Sequence, residues 1–111
     1  MMTLLKAIVR PDKVDDVKSA LQQIGISGMT VFEVRGHGRQ KGHTAIYRGQ
    51  EYHVDLVPKM QIEVVVDDSV ADDVVKAIIA SARTGQIGDG RIFAIPVAHS
   101  YKIRTGDLDR L

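Results

Sequence analysis

Two strand–helix–strand units of similar length, joined by one long glycine-rich connection, predict an α+β sandwich of the double split βαβ kind. Three observations carry this. Four short apolar runs, near 3–9, 29–35, 60–66 and 92–97, have strand character. Apolar residues recur at helical spacing between the first and second runs and again between the third and fourth. The stretch from Gly36 to Lys59 follows neither period.

Thr3 to Val9 reads as a buried strand, ended by Arg10-Pro11-Asp12. Val14, Val17, Leu21 and Ile24 form a helical stripe, with Asp12, Asp15 and Asp16 at its dipole-positive start and Gly25 as its stop. Ile26-Ser27-Gly28 turns into the second strand, Met29 to about Arg35. Met60, Ile62, Val64 and Val66 alternate with Gln61, Glu63 and Val65, the clearest period-two strand in the chain. Ser69 and Asp72 have capping-box spacing, and Val70, Val74, Val75, Ile78, Ile79 and Ala82 make a second helix halted at Gly85. Ile92 to Val97 is the last long strand, at an edge because Pro96 cannot donate to a second neighbour. The tail from Tyr101 ends in polar turn residues. Right-handed crossovers then place both helices on one face of a four-stranded antiparallel sheet, a ferredoxin-like arrangement. The second and third strands form a hairpin at one edge, and the long connection projects from it as an arm.

The 111 residues form a single domain, 1–111, whose core is adequate but thin. Aromatics are only 5% of the chain and tryptophan is absent, so the core is aliphatic and oligomerisation is a natural supplement. A net charge of +1 is too balanced to indicate nucleic-acid binding. With no cysteine there is no disulfide and no thiolate chemistry. The start, Met1 to Arg10, lacks a signal-peptide core, and no apolar run is long enough to span a bilayer, so a cytoplasmic protein is expected.

Connections beyond about 12–15 residues are usually functional or disordered, which singles out the Gly36–Lys59 stretch. Three segments pair glycine or turn residues with cations: Gly36 to Gly42, Gly85 to Arg91 and Lys102 to Thr105. Glycine admits close backbone approach, consecutive amides can cradle an anion, and Arg39, Lys41, Arg91, Lys102 and Arg104 suit phosphate or carboxylate. Each alone suits an ordinary turn; three together favour a polyanion such as a nucleotide. Neither glycine segment has the Gly-Lys-Ser/Thr of a P-loop or the following helix of a dinucleotide fingerprint. His37, His43 and His53 are spaced 6 and 10 apart, unlike common zinc patterns, and read as exposed loop histidines. Glu63 is either a solvated strand residue or an acceptor for a ligand over the sheet. Tyr47 and Tyr52 are packing anchors, partner contacts or modification targets. No Ser-His-Asp order or carboxylate pair indicates bond-breaking catalysis.

Gly38-Arg39-Gln40-Lys41-Gly42-His43-Thr44, followed by Tyr47-Arg48-Gly49 and Glu51-Tyr52, resembles the T-loop of the PII nitrogen-regulatory signal-transduction proteins. Thr84-Gly85 with Ile87-Gly88-Asp89-Gly90 resembles their B-loop, and Arg104-Thr105-Gly106 their C-loop. Ile8-Val9-Arg10-Pro11 and Gly28-Met29-Thr30-Val31 fit as well, so the resemblance runs end to end. It implies a T-loop near 37–55, a B-loop near 83–91 and a C-loop near 102–109. It also implies a homotrimer with clefts between subunits where ATP and ADP compete and Mg-ATP admits 2-oxoglutarate.

Carried over by position, the amides of Gly88, Asp89 and Gly90 and the side chain of Arg39 would meet the phosphates, with Lys102 and Arg104 reaching in from the adjacent subunit. Thr30, Glu63 and Val65 match positions around adenine and ribose, and Gly36, Gly38, Gln40 and Arg91 complete the nucleotide set. Gln40 would ligate Mg2+; Gln40, Lys41, Gly42 and Lys59 would surround 2-oxoglutarate, with Lys59 pairing with a carboxylate. Tyr52 matches a uridylylated or adenylylated tyrosine, and Tyr47, Arg48 and Tyr52 would touch a partner. That partner would be an ammonium transporter, the protein's one link to a membrane, or a nitrogen-assimilation enzyme or regulator. Arg91 stands where the family commonly has lysine and Lys102 where it commonly has arginine, which alters hydrogen-bond geometry at constant charge. Gln50 replaces the serine of phosphorylated members. The expectation is a non-enzymatic sensor. The alternatives are an acyl-phosphate hydrolase using Arg39 or Arg10 as an anion clamp, and an RNA-binding sheet, for which the paired exposed aromatics are missing.

Overall fold

The computed structural model describes residues 1–37, 44–47, 50–53 and 56–109, and of 44–47 and 50–53 the backbone alone. The elements in order are β1 (Met2–Val9), a 3-10 turn (Pro11–Lys13), α1 (Val14–Gln23), β2 (Thr30–Gly36), β3 (Thr44–Tyr47), β4 (Gln50–His53), β5 (Val57–Asp67), α2 (Asp68–Ala82) and β6 (Arg91–Val97). The main sheet has the order β2-β5-β1-β6, every neighbour antiparallel. This is the expected ferredoxin-like sandwich, with β2 and β5 forming the edge pair.

The alternation of β1 and β5 decides which face is covered. Leu5, Ala7 and Val9 lie beside Ile62, Val64 and Val66 and are buried with Val17 and Leu21 of α1 and Val74, Ile78 and Ala82 of α2. Among the described residues no polar or charged side chain is buried. The opposite face is different. Leu4, Ile8, Phe32, Val65, Phe93 and Ile95 lie there, with Phe32, Val65, Phe93 and Ile95 each about two-fifths exposed.

Local chemistry explains the boundaries. Gly25, at φ 85°, closes α1 by donating to Gln22 O, while Ile26 N reaches Leu21 O, the paired bonds of a Schellman end. At α2 the cap differs from the expected Ser69–Asp72 box. Asp67 is the N-cap, its carboxylate accepting from Ser69 N at 2.9 Å, and Ser69 lies inside the helix. The helix also stops before Gly85, because Arg83 is already extended (ψ 131°). Pro96 lies on edge strand β6, as expected. Pro58 lies where β5 has β2 as its only ladder neighbour, since pairing with β1 begins at Met60.

The connection after Gly36 is not a plain loop. It contains a second ladder, β3 with β4, in which Ala45 faces Tyr52 and Tyr47 faces Gln50. Lys59 belongs to β5, not to the connection. No helix among the described residues is long and apolar enough to cross a membrane.

Candidate functional site

Two clefts meet at Gly90. One, of about 350 Å³, runs along the C-terminal half of α2 between Val75, Ile78, Ile79 and Ala82, with Arg83 and Arg91 at its mouth. The other, of about 630 Å³, lies at the sheet end, where Gly36, His37 and Lys59 face the turn from Gln86 to Arg91. The second has the size of a small-molecule site and combines glycine amides with cations, so it holds the recognisable chemistry.

The turn is held by one carboxylate. Asp89 Oδ2 accepts from Thr84 N at 2.9 Å and Gly85 N at 2.8 Å. Its Oδ1 accepts from the Thr84 hydroxyl and from Arg10 Nε, the latter at 3.0 Å. Arg10 follows β1, and its Nη2 also donates to Ile87 O at 2.9 Å. The Asp89 side chain therefore shapes the turn and is not aimed at a ligand. Lys59, carried in by β5, donates from Nζ to Gly88 O at 2.6 Å. Gly90, at φ 105°, presses so closely on β1 that a Cβ there would lie 1.7 Å from Ile8 O.

The electrostatics follow from these bonds. The Thr84 hydroxyl, then the Thr84 amide, Arg10 and the Gly85 amide, hold the Asp89 carboxyl well below the usual carboxylate range, against some desolvation. Partial burial lowers the Lys59 pKa from 10.5, Arg10 lowers it further, and Asp89 opposes both. A depressed carboxylate contributes stability that is complete above its unfolded value of 3.8 and is lost only as pH falls below that value. The Thr84 and Gly85 amide resonances are therefore expected to hold position from pH 7 down to about 4.5 in an NMR titration. Movement centred on an ordinary carboxylate pKa would show that Asp89 does not hold the turn.

The structure brings together Gly36, Lys59, Gly88, Asp89, Gly90 and Arg91 of the residues expected from sequence. Thr30, Glu63 and Val65 do not line the cleft but share with its Ile8 and Phe93 wall the sheet face opposite the helices; Thr30 is the register partner of Glu63, which accepts from Gln61 Nε2 at 2.7 Å. Lys102 and Arg104 sit in an exposed turn closed by Gly106 N to Lys102 O at 2.7 Å, and do not line the cleft within one chain. Gly38, Arg39, Gln40, Lys41, Gly42, His43 and Arg48 lie outside the described residues, as do the side chains of Tyr47, Tyr52 and His53. Sequence reasoning missed the Arg10–Asp89 pair, the positions of Ile8 and Phe93 on the cleft wall, and His37 as a lining group. Among the described residues no group of three or more His, Asp or Glu could hold a metal ion.

The family model described as nitrogen regulatory protein P-II matches residues 2–107. The chain is 56% identical over 108 residues to nitrogen regulatory protein P-II 1 of Escherichia coli strain K12, covering 97% of this chain and 96% of that one. It is 55% identical, at the same coverage, to nitrogen regulatory protein P-II of Rhizobium etli. Among solved structures it is similar to Arabidopsis thaliana PII bound to citrate, with a TM-score of 0.78 and 38% identity, covering 97% of this chain and 85% of that one.

Proposed function

The chain belongs to the nitrogen regulatory protein P-II family, and from that premise we propose that it is a non-enzymatic sensor of nitrogen, carbon and energy status. The observation that carries this reading is the convergence of Lys59, Arg91 and the Gly88–Gly90 backbone on one cleft. ATP or ADP occupies it, the amides and Arg39 binding the phosphates. The adenine and ribose extend from the cleft along the same sheet face to Thr30, Glu63 and Val65. Lys102 and Arg104 complete the site from the neighbouring subunit of a homotrimer. The exposed apolar sheet face supports that assembly, because large exposed apolar patches mark interaction surfaces.

With Mg-ATP bound, 2-oxoglutarate enters beside Gln40, Lys41, Gly42 and Lys59. Gln40 would be the side chain of this chain that holds Mg2+, the rest of its ligands coming from the triphosphate and 2-oxoglutarate. Citrate on the plant relative is a polycarboxylate of related chemistry. Occupation biases the arm between two shapes by differential affinity. Tyr47, Arg48 and Tyr52 at its tip then meet an ammonium transporter or a nitrogen-assimilation enzyme or regulator, and Tyr52 accepts a nucleotidyl group. The protein works in the cytoplasm and reaches the membrane only through that transporter.

Hydrolysis of an acyl phosphate with Arg10 as the anion clamp loses support, because Arg10 directs its guanidinium to Asp89 and the Ile87 carbonyl; Arg39, the other clamp considered, lies outside the described residues. Calorimetry tests the sensor. 2-Oxoglutarate is expected to bind only with Mg-ATP present, and Gln40→Ala or Lys59→Ala to weaken it at least about tenfold, as loss of a bond to a charged group does. Absence of 2-oxoglutarate binding with Mg-ATP, or a Gln40→Ala protein indistinguishable from wild type, overturns the reading.

A further inference from the structure

The groove of about 350 Å³ beside α2 takes no part in the sensor reading. Val75, Ile78, Ile79 and Ala82 recur three and four residues apart along α2 and form one side of it. Val9 and Ile92 supply the sheet side, both packed with the helix-face core. Ile78 and Ala82 are buried, whereas Ile79 is 37% exposed, so the aliphatic floor opens to solvent along Ile79.

The rim has a different chemistry. Arg83, just after α2, and Arg91, at the start of β6, are both exposed. Neither guanidinium has an ion pair or a side-chain hydrogen bond among the described residues. Asp89, the only carboxylate on the lining, is already held by Thr84, Gly85 and Arg10. The C-terminal end of the α2 dipole opposes an anion here, but at about half a charge it is outweighed by two guanidinium groups. An apolar trough with two available cations at one end asks for a ligand of the same polarity.

We propose that this groove binds an amphipathic anion with the chemistry of a medium-chain fatty acid. The unbranched tail lies along Val75, Ile78, Ile79 and Ala82, and the carboxylate meets Arg83 and Arg91. A wholly apolar ligand would leave the guanidinium groups unused, and a compact anion would leave the aliphatic floor wet. The assignment goes beyond the sensor reading and uses neither Lys59 nor the arm. Arg91 lines both clefts, so Arg83 is the residue that isolates this one.

The experiment is an NMR titration of the full-length, nucleotide-free protein with butanoate, hexanoate and octanoate, each below its micelle concentration. Affinity is expected to rise about two- to fourfold per methylene, with amide shifts at Ile79, Arg83 and Ile92. Arg83→Glu should weaken octanoate about five- to tenfold, while Arg83→Lys, which keeps the charge, should change it less than about twofold. Ile79→Ser should weaken octanoate about fivefold by removing part of the floor. The assignment is overturned by the absence of octanoate binding, by equal affinity at all three chain lengths, or by octanoate binding that ignores Arg83→Glu. Shifts confined to Val65, Phe93 and Ile95 would overturn it as well, by placing the ligand on the opposite face of the sheet.

Discussion

Replacing Gly90 by alanine is expected to lower the unfolding free energy by about 2–5 kcal/mol in urea titrations at fixed protein concentration. Two effects combine. At φ 105° an L side chain is strained, and the added Cβ would lie 1.7 Å from the Ile8 carbonyl oxygen. That oxygen belongs to β1, which is paired on both sides, with Gln61 and Arg91 as the partners of Ile8. The strand cannot retreat without disturbing two ladders, so the turn must move and its amides leave the cleft. Gly85→Ala is the control: its φ of 88° is similarly strained, but nothing lies within 4 Å of the Cβ position. Gly85→Ala should cost about 1–2 kcal/mol. Equal losses in the two variants would mean that the close approach to β1 carries no weight.

Ile95→Asp is expected to convert the proposed trimer to a folded monomer, read by sedimentation velocity and circular dichroism. Ile95 pairs with Leu4, which pairs in turn with Val65, a row with no charged member. A carboxylate there has no cation directly opposite it, unlike one at Phe93, whose partner is Lys6. Burying an unpaired charge in an interface costs several kcal/mol, enough to weaken association at least about a hundredfold. The core on the helix face is untouched, so helix and sheet signals should persist. A trimer that survives the substitution would show that this face is not the contact.

The parts of the fold legible in the sequence are those with a strong period. Met60 to Val66 alternates cleanly and belongs to β5, one of the two inner strands, and the Val70–Ala82 stripe is α2. Pro96 gave an edge correctly because a missing donor has a single structural meaning. Where two residues offer the same chemistry, the sequence was ambiguous. Asp67 and Ser69 are both good caps, and only the backbone turn at Asp67 decides between them. The β3–β4 ladder was missed because Thr44–Tyr47 and Gln50–His53, four residues each, are too short to show a period. In the site, glycine and cation segments announced the Gly88–Arg91 wall, whereas the Arg10–Asp89 pair spans 79 residues and leaves no local trace. Register made that pair: with Ile8 opposite Arg91, the ends of β1 and the turn necessarily meet.

Strand β5 is shared between two ladders from Met60 to Glu63, with β1 on one side and β2 on the other. A slip of one residue against either neighbour would turn Ile62, Val64 and Val66 to solvent and Lys59 away from the cleft. The strand is thus a ruler with a fixed zero. Its hydrophobic marks set where the lysine stands, so the distance from Lys59 to the Gly88 carbonyl is calibrated by the core. Changes of ligand preference can then come from the cleft wall alone, without recalibrating the fold that measures it.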